Sequence, residues 1–488
     1  MAKTIFEKNS SGRRGFTFSN NDVKIKLEDC IPQKYLRMNN AGLPEVSELD
    51  VMRHFSELAH MNYFIEKGFY PLGSCTMKYN PKINETLVRN KGFNDLHPFQ
   101  QEDTIQGALE ILFELQSMLA EISGFNQVSL QPVAGAHGEF TGLKVIKEYH
   151  TAKGNTHKTK IILPDSAHGT NPASVVLAGF EVVEIKSNAD GMTDLQDLRD
   201  HVDENTAGFM LTNPNTLGLF EKQVKEIAQI IHSVDGLIYM DGANLNAILG
   251  IVKPGQIGFD IMHYNLHKTF ATPHGGGGPG SGPIGVREDL TKFLPVPLIG
   301  KKRDKYFLDY SHEKTSLGKV HSFFGNFLVN VRAYIYIKML GAKGLKRVSE
   351  NAIINANYIM KQLSKYYDIP HKDIYCMHEF VASGTWQKEK HGIKTLDIAK
   401  RILDKGFHAP TIYFPLIVSE AMMIEPTETE SKETLDEFIS AMIEIAQECL
   451  ENPDLLKNAP VDTPVKRVND TLAVRQLNVK YDGTSQDV

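Results

Sequence analysis

A lysine placed between a histidine and a run of glycines is the feature of this sequence that points most directly to chemistry. Lys268 lies in the stretch "HYNLHKTFATPHGGGGPGSGP", residues 263–283. Lysine is rarely buried without a partner or a task, and glycines inside an element cost conformational entropy. A lysine amine can form a Schiff base with an aldehyde. The stretch therefore predicts a ligand bound at Lys268, with the glycines letting backbone approach that ligand or a neighbouring subunit closely.

A carboxylate upstream fits the same chemistry. The best-known aldehyde held by a lysine in α/β enzymes is pyridoxal phosphate, which needs a carboxylate at its pyridine nitrogen, an anion site for its phosphate and a flat surface against its ring. Asp241 in "YMDGAN" follows a predicted strand and would keep that nitrogen protonated, so that the ring accepts electrons. Asp241 alone fits a turn or capping aspartate before Gly242 equally well.

The phosphate site has a candidate at a helix start. "PVAGAHGEFTGL" places Ala134, Gly135 and Ala136 where free backbone N–H groups and the helix dipole favour an anion. Taken alone, an ordinary glycine-containing helix start explains the stretch better.

Two further strand ends offer contacts to the ring and its surroundings. His168 in "PDSAHGTNPAS" can stack on a flat ring, although a plain loop histidine fits as well. Thr212 and Asn213 in "TNPN" lie in a turn whose amides can face a cofactor, but Asn-Pro turns are common. Four separate segments thus supply, in chain order, groups for the phosphate, the ring face, the pyridine nitrogen and the aldehyde.

Elements of alternating type must position these residues. Strands are predicted at "KIILPDS", "GFEVVEIKS", "AGFMLTNPN", "GLIYMDGAN" and "FDIMHYNLHK", and helices at "DLQDLRDHVDEN" and "EKQVKEIAQIIHSVD". Strands that alternate with helices indicate crossover units and a mainly parallel sheet, with ligands beyond the carboxyl ends of the strands. The predicted division is an extended N-terminal arm over 1–95, a large cofactor-binding domain over 96–330, and a smaller α+β C-terminal domain with a polar tail over 331–488.

Composition restricts the remaining classes. The 488 residues carry a net charge of −6 with 41 % hydrophobic residues and no basic stripe, so a nucleic-acid partner is not expected. Apolar runs are too short for a signal peptide or a membrane span. The four cysteines are sparse and unpaired in spacing, which favours a reducing cytoplasm.

Two motif matches in the lysine region are rejected. Gly280, Gly282 and Gly285 fit the dinucleotide-binding pattern literally, but they open no helix. His263 and His267 are four residues apart, yet no carboxylate or cysteine set accompanies them, and no metal is expected.

Long blocks of the sequence closely resemble the P-protein of the glycine cleavage system, in the second subunit of the form that is split into two chains. The blocks are "YPLGSCTMKYNPK", "LQPVAGAHGE", "PDSAHGTNPASV", "TNPNTLGLFE", "MDGANLNA", "NLHKTFATPHGGGGPGSGPIGV" and "MIEPTETESKETLDEF". The resemblance implies a fold type I, aspartate-aminotransferase-like pyridoxal phosphate enzyme with Lys268 as the Schiff-base lysine. The expected catalytic residues are Lys268, His168 and Asp241. The expected cofactor-binding residues are these three together with Ala134, Gly135, Ala136, Thr212, Asn213, Asn244 and His267.

The resemblance also implies a reaction and partners. Glycine is decarboxylated with release of carbon dioxide, and its aminomethyl group passes to the lipoyl arm of the H-protein. A related first subunit is a separate chain, and two copies of each are expected to form a heterotetramer.

Two alternatives stay open on the residues. Another fold type I lyase, such as a cysteine desulfurase, needs a mobile catalytic cysteine after the lysine, and Cys376 follows it. "YCMHEFVAS" reads as a strand, however, where a cysteine is usually a small buried residue. A non-catalytic scaffold subunit would require neither Lys268 nor Asp241.

Overall fold

The structure is a computed structural model, and it describes residues 3–17, 19, 22–39, 41–274 and 280–479. Part of the glycine run, residues 275–279, lies outside the described residues. The chain forms two compact units, Met1–Lys67 with Pro460–Val488, and Gly68–Ala459. The three-part division at residues 95 and 330 stays a prediction.

Helices and strands alternate through the middle of the chain, as the apolar patterns predict. The helices are α1 (Leu27–Cys30), α2 (Glu48–Met61), α3 (Lys82–Val88), α4 (Lys91–Asn94), α5 (Gln106–Ser123), α6 (Gly135–Ala152), α7 (Thr170–Leu177), α8 (Leu195–His201), α9 (Val224–His232), α10 (Pro254–Ile257), α11 (Leu266–Thr269), α12 (Phe327–Leu363), α13 (Thr385–His391), α14 (Thr395–Asp404), α15 (Lys432–Glu451), α16 (Pro453–Asn458) and α17 (Asp470–Arg475). The strands are β1 (Gln127–Ser129), β2 (Lys160–Pro164), β3 (Glu181–Ile185), β4 (Thr206–Thr212), β5 (Leu237–Gly242), β6 (Ile261–Tyr264), β7 (Ile284–Val286), β8 (Leu298–Lys302), β9 (Lys305–Asp309), β10 (Phe380–Ser383), β11 (Thr411–Ile412) and β12 (Ala421–Ile424). Short 3-10 helices span Phe6–Lys8, Gln33–Tyr35, Glu102–Thr104, Leu245–Ala247 and Glu288–Phe293.

The main sheet of the described residues is mainly parallel, which confirms the predicted fold class. Its strand order is β1-β7-β6-β5-β4-β2-β3. β2 pairs in parallel with β3 and β4, β4 with β5, and β5 with β6, whereas β7 runs antiparallel to β6 and β1. In the register of these strands Thr212 lies beside Asp241, and Asp241 beside His263. Three polar side chains therefore stand in a row near the carboxyl edge of the sheet.

The sheet is covered on both faces, which is why its central strands are continuous apolar runs. Every residue of β4 and β5 is buried, as is typical of parallel sheets between helices. On the amphipathic helix α9, Val224, Ile227 and Ile231 are buried at the spacing of a single helix face. This packing fixes the strand ends that carry the candidate residues.

The later part of the second unit holds a smaller antiparallel sheet. Its strand order is β10-β12-β11, and α12, α14 and α15 contribute residues to the same core as β10 and β12. The predicted helix that begins in "FLVNVRAYIYIKMLGAKGL" extends further, to Leu363, and Gly341 interrupts it with a φ of 58°. Leu72 forms an isolated bridge with Ile424, so the chain just after Gly68 lies along β12.

The first unit contains the helices α1, α2 and α17, whereas the sequence predicts an extended arm for its N-terminal part. Its helix α2 begins with a capping box in which Ser47 accepts from the amide of Asp50, and Asp50 accepts in return. Leu49, Met52 and Phe55 of this helix are exposed. No helix in the described part of the chain is long and apolar enough to cross a membrane.

Candidate active site

Lys268 lies on a helix rather than on a strand, which corrects the sequence interpretation. β6 ends at Tyr264, and Lys268 belongs to the single turn of α11 that follows it at the carboxyl edge of the sheet. Its Nζ donates to the carbonyl oxygen of Ser74 at 2.8 Å. Ser74 has a φ of 64°, a conformation that non-glycine residues rarely adopt. We call residues 73–78 the covering segment, because they lie against this lysine.

A second lysine fastens the covering segment to the same helix. The buried Lys78 pairs with Glu428, its Nζ lying 2.6 Å from Oε1. The same Nζ donates to the carbonyl of Thr269 at 3.0 Å and to Asn246 at 2.7 Å. The covering segment therefore contacts the turn of α11 at two places, through Ser74 and through Lys78.

Asp241 is held as an anion at the end of β5. Only 1 % of it is exposed, and its carboxylate accepts from Asn171 Nδ2 at 3.0 Å and from the Ala243 amide at 2.9 Å. His263 Nε2 lies 3.3 Å away. Burial by itself raises the pKa of Asp241, but the charge interactions with His263 and His168 and the two hydrogen bonds outweigh it and leave the pKa below its ordinary value.

His168 is joined to Asp241 through Asn171. The backbone amide of His168 donates to Asn171 Oδ1 at 3.2 Å, and the same Asn171 side chain donates to Asp241. The partly buried His168 ring meets Phe414 edge to face, with centroids 5.6 Å apart. Burial lowers the pKa of His168, with Asp241 opposing and Lys268 adding to the shift. Asn171 has no catalytic signature in the sequence; the only signal is its place after the histidine in "AHGTNPAS".

The histidines flanking the lysine have separate tasks. His263 lies in β6, where its Nδ1 is 2.8 Å from the Tyr239 hydroxyl. His267 lies on α11 and accepts from the Ser281 amide at 3.3 Å. Burial, with the nearby His274 and Lys268, lowers the pKa of His267 to about 3. His267 is therefore neutral at physiological pH.

The N-terminus of α6 is built around glycines that cannot be replaced without movement. A Cβ at Gly282 would lie 2.0 Å from the Ala134 carbonyl oxygen, and one at Gly135 would lie 2.5 Å from Asn265 Oδ1. No side chain caps the helix at Ala134, and Ala136 follows in its first turn. The residues that the sequence predicts for a phosphate thus lie at a tightly packed helix N-terminus that no side chain caps, and such an end can bind an anion through its backbone N–H groups.

Unpartnered polar atoms mark the edge of the same region. Thr212 Oγ1 and Asn213 Nδ2 are buried without a hydrogen-bond partner among the described residues. Burying such groups costs free energy unless they are bonded, so both are suited to meet a ligand. Asn244, in contrast, is engaged within the protein, because its Nδ2 donates to the Pro214 carbonyl at 2.9 Å and to Glu379 at 3.2 Å.

The structure also reveals acidic residues that the sequence interpretation missed. Glu379 Oε2 accepts from the Ser74 amide at 2.8 Å, and Thr76 Oγ1 donates to Glu425. Both glutamates are buried. They lie far from Lys268 in the sequence, and "HEF" and "IEPTETE" carry no spacing that ties them to it.

These residues fit pyridoxal phosphate. The buried anion Asp241 suits a protonated pyridine nitrogen, the uncapped N-terminus of α6 suits a phosphate, and Lys268 lies at the same edge of the sheet to bond an aldehyde. The class that fold and site define together is that of the fold type I pyridoxal phosphate enzymes.

Comparisons with known proteins narrow this class to one family. A family model described as "Glycine cleavage system P-protein" matches residues 19–308, and one described as "Glycine dehydrogenase, C-terminal domain" matches residues 348–462. Proteins described as "Probable glycine dehydrogenase (decarboxylating) subunit 2" are similar along nearly the whole chain. The one from Bacillus cytotoxicus is 56 % identical and covers 98 % of this chain and 97 % of its own length. The one from Pelodictyon phaeoclathratiforme is 58 % identical and covers 98 % of each.

A solved structure supports the fold. A glycine decarboxylase (P-protein) of the glycine cleavage system, in inhibitor-bound form, superposes with a TM-score of 0.73 at 21 % identity, covering 86 % of this chain and 95 % of its own. The chain belongs to the glycine cleavage system P-protein family. The glycine-decarboxylating function and the dependence on pyridoxal phosphate that the sequence blocks imply are confirmed by this membership.

The desulfurase alternative loses its candidate nucleophile. Cys376 is buried, and burial raises the pKa of its thiol to about 12. A buried thiol of this kind is not a thiolate at neutral pH, whereas a sulfur-accepting cysteine must be both reactive and accessible.

Proposed function

We propose that Lys268 is the residue that bonds the aldehyde of pyridoxal phosphate, and that Asp241 holds the positive charge of the pyridine nitrogen. The observation that carries this proposal is the buried, hydrogen-bonded anion at Asp241 at the same sheet edge as Lys268. When bound, the cofactor supplies a ring that accepts the electron pair left as glycine loses carbon dioxide.

The chain's own residues orient and protect that chemistry. Asp241 stays ionised because Asn171 and Ala243 donate to it. The partly buried His168 covers the ring, and its lowered pKa keeps it neutral beside a charged pyridine nitrogen. Ala134, Gly135 and Ala136 present backbone N–H groups to the phosphate, while Thr212, Asn213 and Asn244 line the site with His267.

We further propose that the aminomethyl group passes to the lipoyl arm of an H-protein, and that the active assembly pairs this chain with a separate subunit 1, two copies of each. The relatives are described as subunit 2, which implies a partner subunit. The exposed apolar residues of α2, Leu49, Met52 and Phe55, support the partnership, because an amphipathic helix of a stable assembly covers its apolar face.

An exchange assay tests the assignment. The purified chain, supplied with pyridoxal phosphate, is measured for exchange of labelled carbon dioxide into glycine, alone and after addition of subunit 1 and lipoylated H-protein. We expect slow exchange from the chain alone and a large increase with both partners. Full activity with H-protein alone would show that subunit 1 is dispensable, and no activity with both would refute the proposed reaction.

A further inference from the structure

Three buried titratable side chains form a cluster beneath the covering segment. His378 and Glu379 directly precede β10, and Glu425 directly follows β12. His378 Nε2 lies 3.8 Å from Glu379 Oε1 and 3.9 Å from Glu425 Oε1. Both ring nitrogens of His378 and Glu425 Oε2 have no hydrogen-bond partner among the described residues. The two carboxyl groups are therefore close neighbours in a site that solvent does not reach.

If both glutamates were ionised, the buried cluster would hold two negative charges and no positive one, because the His378 ring is neutral. Burial raises the pKa of Glu379 to about 7. Burial and the charge of Glu379 raise the pKa of Glu425 well above its ordinary value, with Lys268 and Lys78 opposing. Burial and Lys268 lower the pKa of His378 to about 3, so its ring brings no charge. One ligand atom from each of His378, Glu379 and Glu425 lies within 4.8 Å of the others, and two carboxyl groups this close favour holding one proton between them.

The same two carboxyl groups hold the covering segment. Glu379 accepts from the amide of Ser74, and Glu425 accepts from the hydroxyl of Thr76. Ser74 in turn offers its carbonyl to Lys268 Nζ. Because Ser74 is in the left-handed region of the backbone, its conformation depends on these bonds. The neighbouring Cys75 adds no charge, because burial raises the pKa of its thiol.

We propose that Glu379 and Glu425 are positioning residues that share one proton and thereby fix the covering segment over Lys268. When the shared proton is lost, two adjacent buried anions repel each other, and the segment detaches. Since the pKa of each group is raised in the folded chain, the seating is fully stabilised only below the ordinary pKa of a glutamate, and this stabilisation is lost as the pH rises from there through the raised pKa. The hold of the two glutamates on the covering segment is independent of the proposed function. Only the effect of that hold on catalysis at Lys268 rests on the proposed function.

The test measures the segment itself, without cofactor. Hydrogen exchange of peptides within residues 69–80 is followed from pH 6 to pH 9 by mass spectrometry and corrected for intrinsic exchange. In the wild-type protein we expect protection to fall by about tenfold per pH unit until the raised pKa is reached and to level off above it, because the seated segment then binds no more protons than the detached one. Glu425→Gln and Glu379→Gln keep an acceptor oxygen but cannot ionise, so each should hold its protection nearly constant.

Controls separate proton sharing from structure. Glu430 has a pKa raised to about 7 and lies outside the cluster, so Glu430→Gln should keep the wild-type pH profile. Glu425→Ala, which removes the acceptor for Thr76, should lose protection at every pH, whereas Glu425→Gln restores it. Thermal unfolding identifies a variant that does not fold. In that case the pH dependence of hydrogen-exchange protection in the wild-type protein alone tests the proposal.

Several outcomes would overturn the role. They are protection that does not change with pH in the wild-type protein, Gln variants with the wild-type slope, and a stoichiometric metal ion bound at the cluster. In the complete enzyme, the Gln variants should move the alkaline limb of the carbon dioxide exchange profile to higher pH. If the slope vanished in the Gln variants while the wild-type chain with both partners showed no carbon dioxide exchange, the positioning role would be supported and the proposed function alone would be refuted.

Discussion

Replacing Asp241 by asparagine separates the charge of this residue from its place in the fold. The carboxylate accepts one donor on each oxygen, Asn171 on Oδ2 and the Ala243 amide on Oδ1. An asparagine amide must turn its own N–H₂ toward one of them, so at least one hydrogen bond is lost. That loss costs about 1–3 kcal/mol of stability for a buried donor, which a folded enzyme tolerates.

The effect on the reaction is larger. Two unit charges about 4 Å apart attract by about 4 kcal/mol at the effective dielectric constant of about 20 that describes protein sites. Since Asp241 is 1 % exposed, solvent does not screen that attraction. About 1.4 kcal/mol is a factor of ten in rate, so Asp241→Asn should slow glycine–carbon dioxide exchange by about a thousandfold while borohydride still attaches the cofactor to Lys268.

A matched control lies at the other end of the sheet. Asp260 is equally buried and precedes β6, where it accepts from the Ile238 amide at 2.7 Å and pairs with His232 and Arg287. Asp260→Asn should lower the melting temperature with little change in exchange rate per folded molecule. If Asp241→Asn retained turnover within about threefold of wild type, less than one kcal/mol by the same conversion, the charge-holding role of Asp241 would be refuted.

Three further substitutions test the other contacts of the site. Lys268→Ala should abolish borohydride labelling while leaving the fold intact, and peptide mapping that found the label on another lysine in the wild-type protein would contradict the assignment. His168→Ala should weaken cofactor binding by less than Lys268→Ala or Asp241→Asn, because it removes ring contact but no covalent bond or full charge. If cofactor affinity, measured by titration, and turnover, measured by exchange, were both unchanged, His168 would be a plain loop histidine. Gly282→Ala should destabilise the chain by about 1–3 kcal/mol and lower cofactor affinity, because its Cβ would meet the Ala134 carbonyl, whereas Gly107→Ala on α5, where a Cβ meets nothing within 4 Å, should leave cofactor affinity as in wild type.

The sequence predicted the main sheet well because its signals are local. The runs that became β2 to β5 are bounded by turn residues, and their alternation with helices is enough to indicate parallel pairing. The carboxyl-edge rule then placed Asp241 and Thr212 together, and the strand register confirms their adjacency. The predicted strand that ends at Lys268 was too long. β6 ends at Tyr264 and Lys268 lies in the turn of α11, because both elements are short and the apolar pattern continues across their boundary.

The contacts that the sequence did not predict are long-range. Glu379 and Glu425 meet the covering segment only because that segment lies along β12, a pairing set by tertiary structure rather than by periodicity. Cys376 was expected within a strand, but β10 begins at Phe380. The signal that could have indicated the cluster was the pair His378–Glu379 inside an otherwise apolar run, because charged residues are rarely buried without a partner.

The position of the covering segment along β12 has a consequence for synthesis on the ribosome. Thr76 and Glu425, which bond to each other in the folded chain, are 349 residues apart. Translation runs from the N-terminus, so the covering segment waits for its partner strand until the last part of the chain emerges. Lys268 is synthesised well before that point. A product that terminates before Ala421 would keep Lys268 and the covering segment but would lack Glu425 and Glu428, the acidic partners of Thr76 and Lys78.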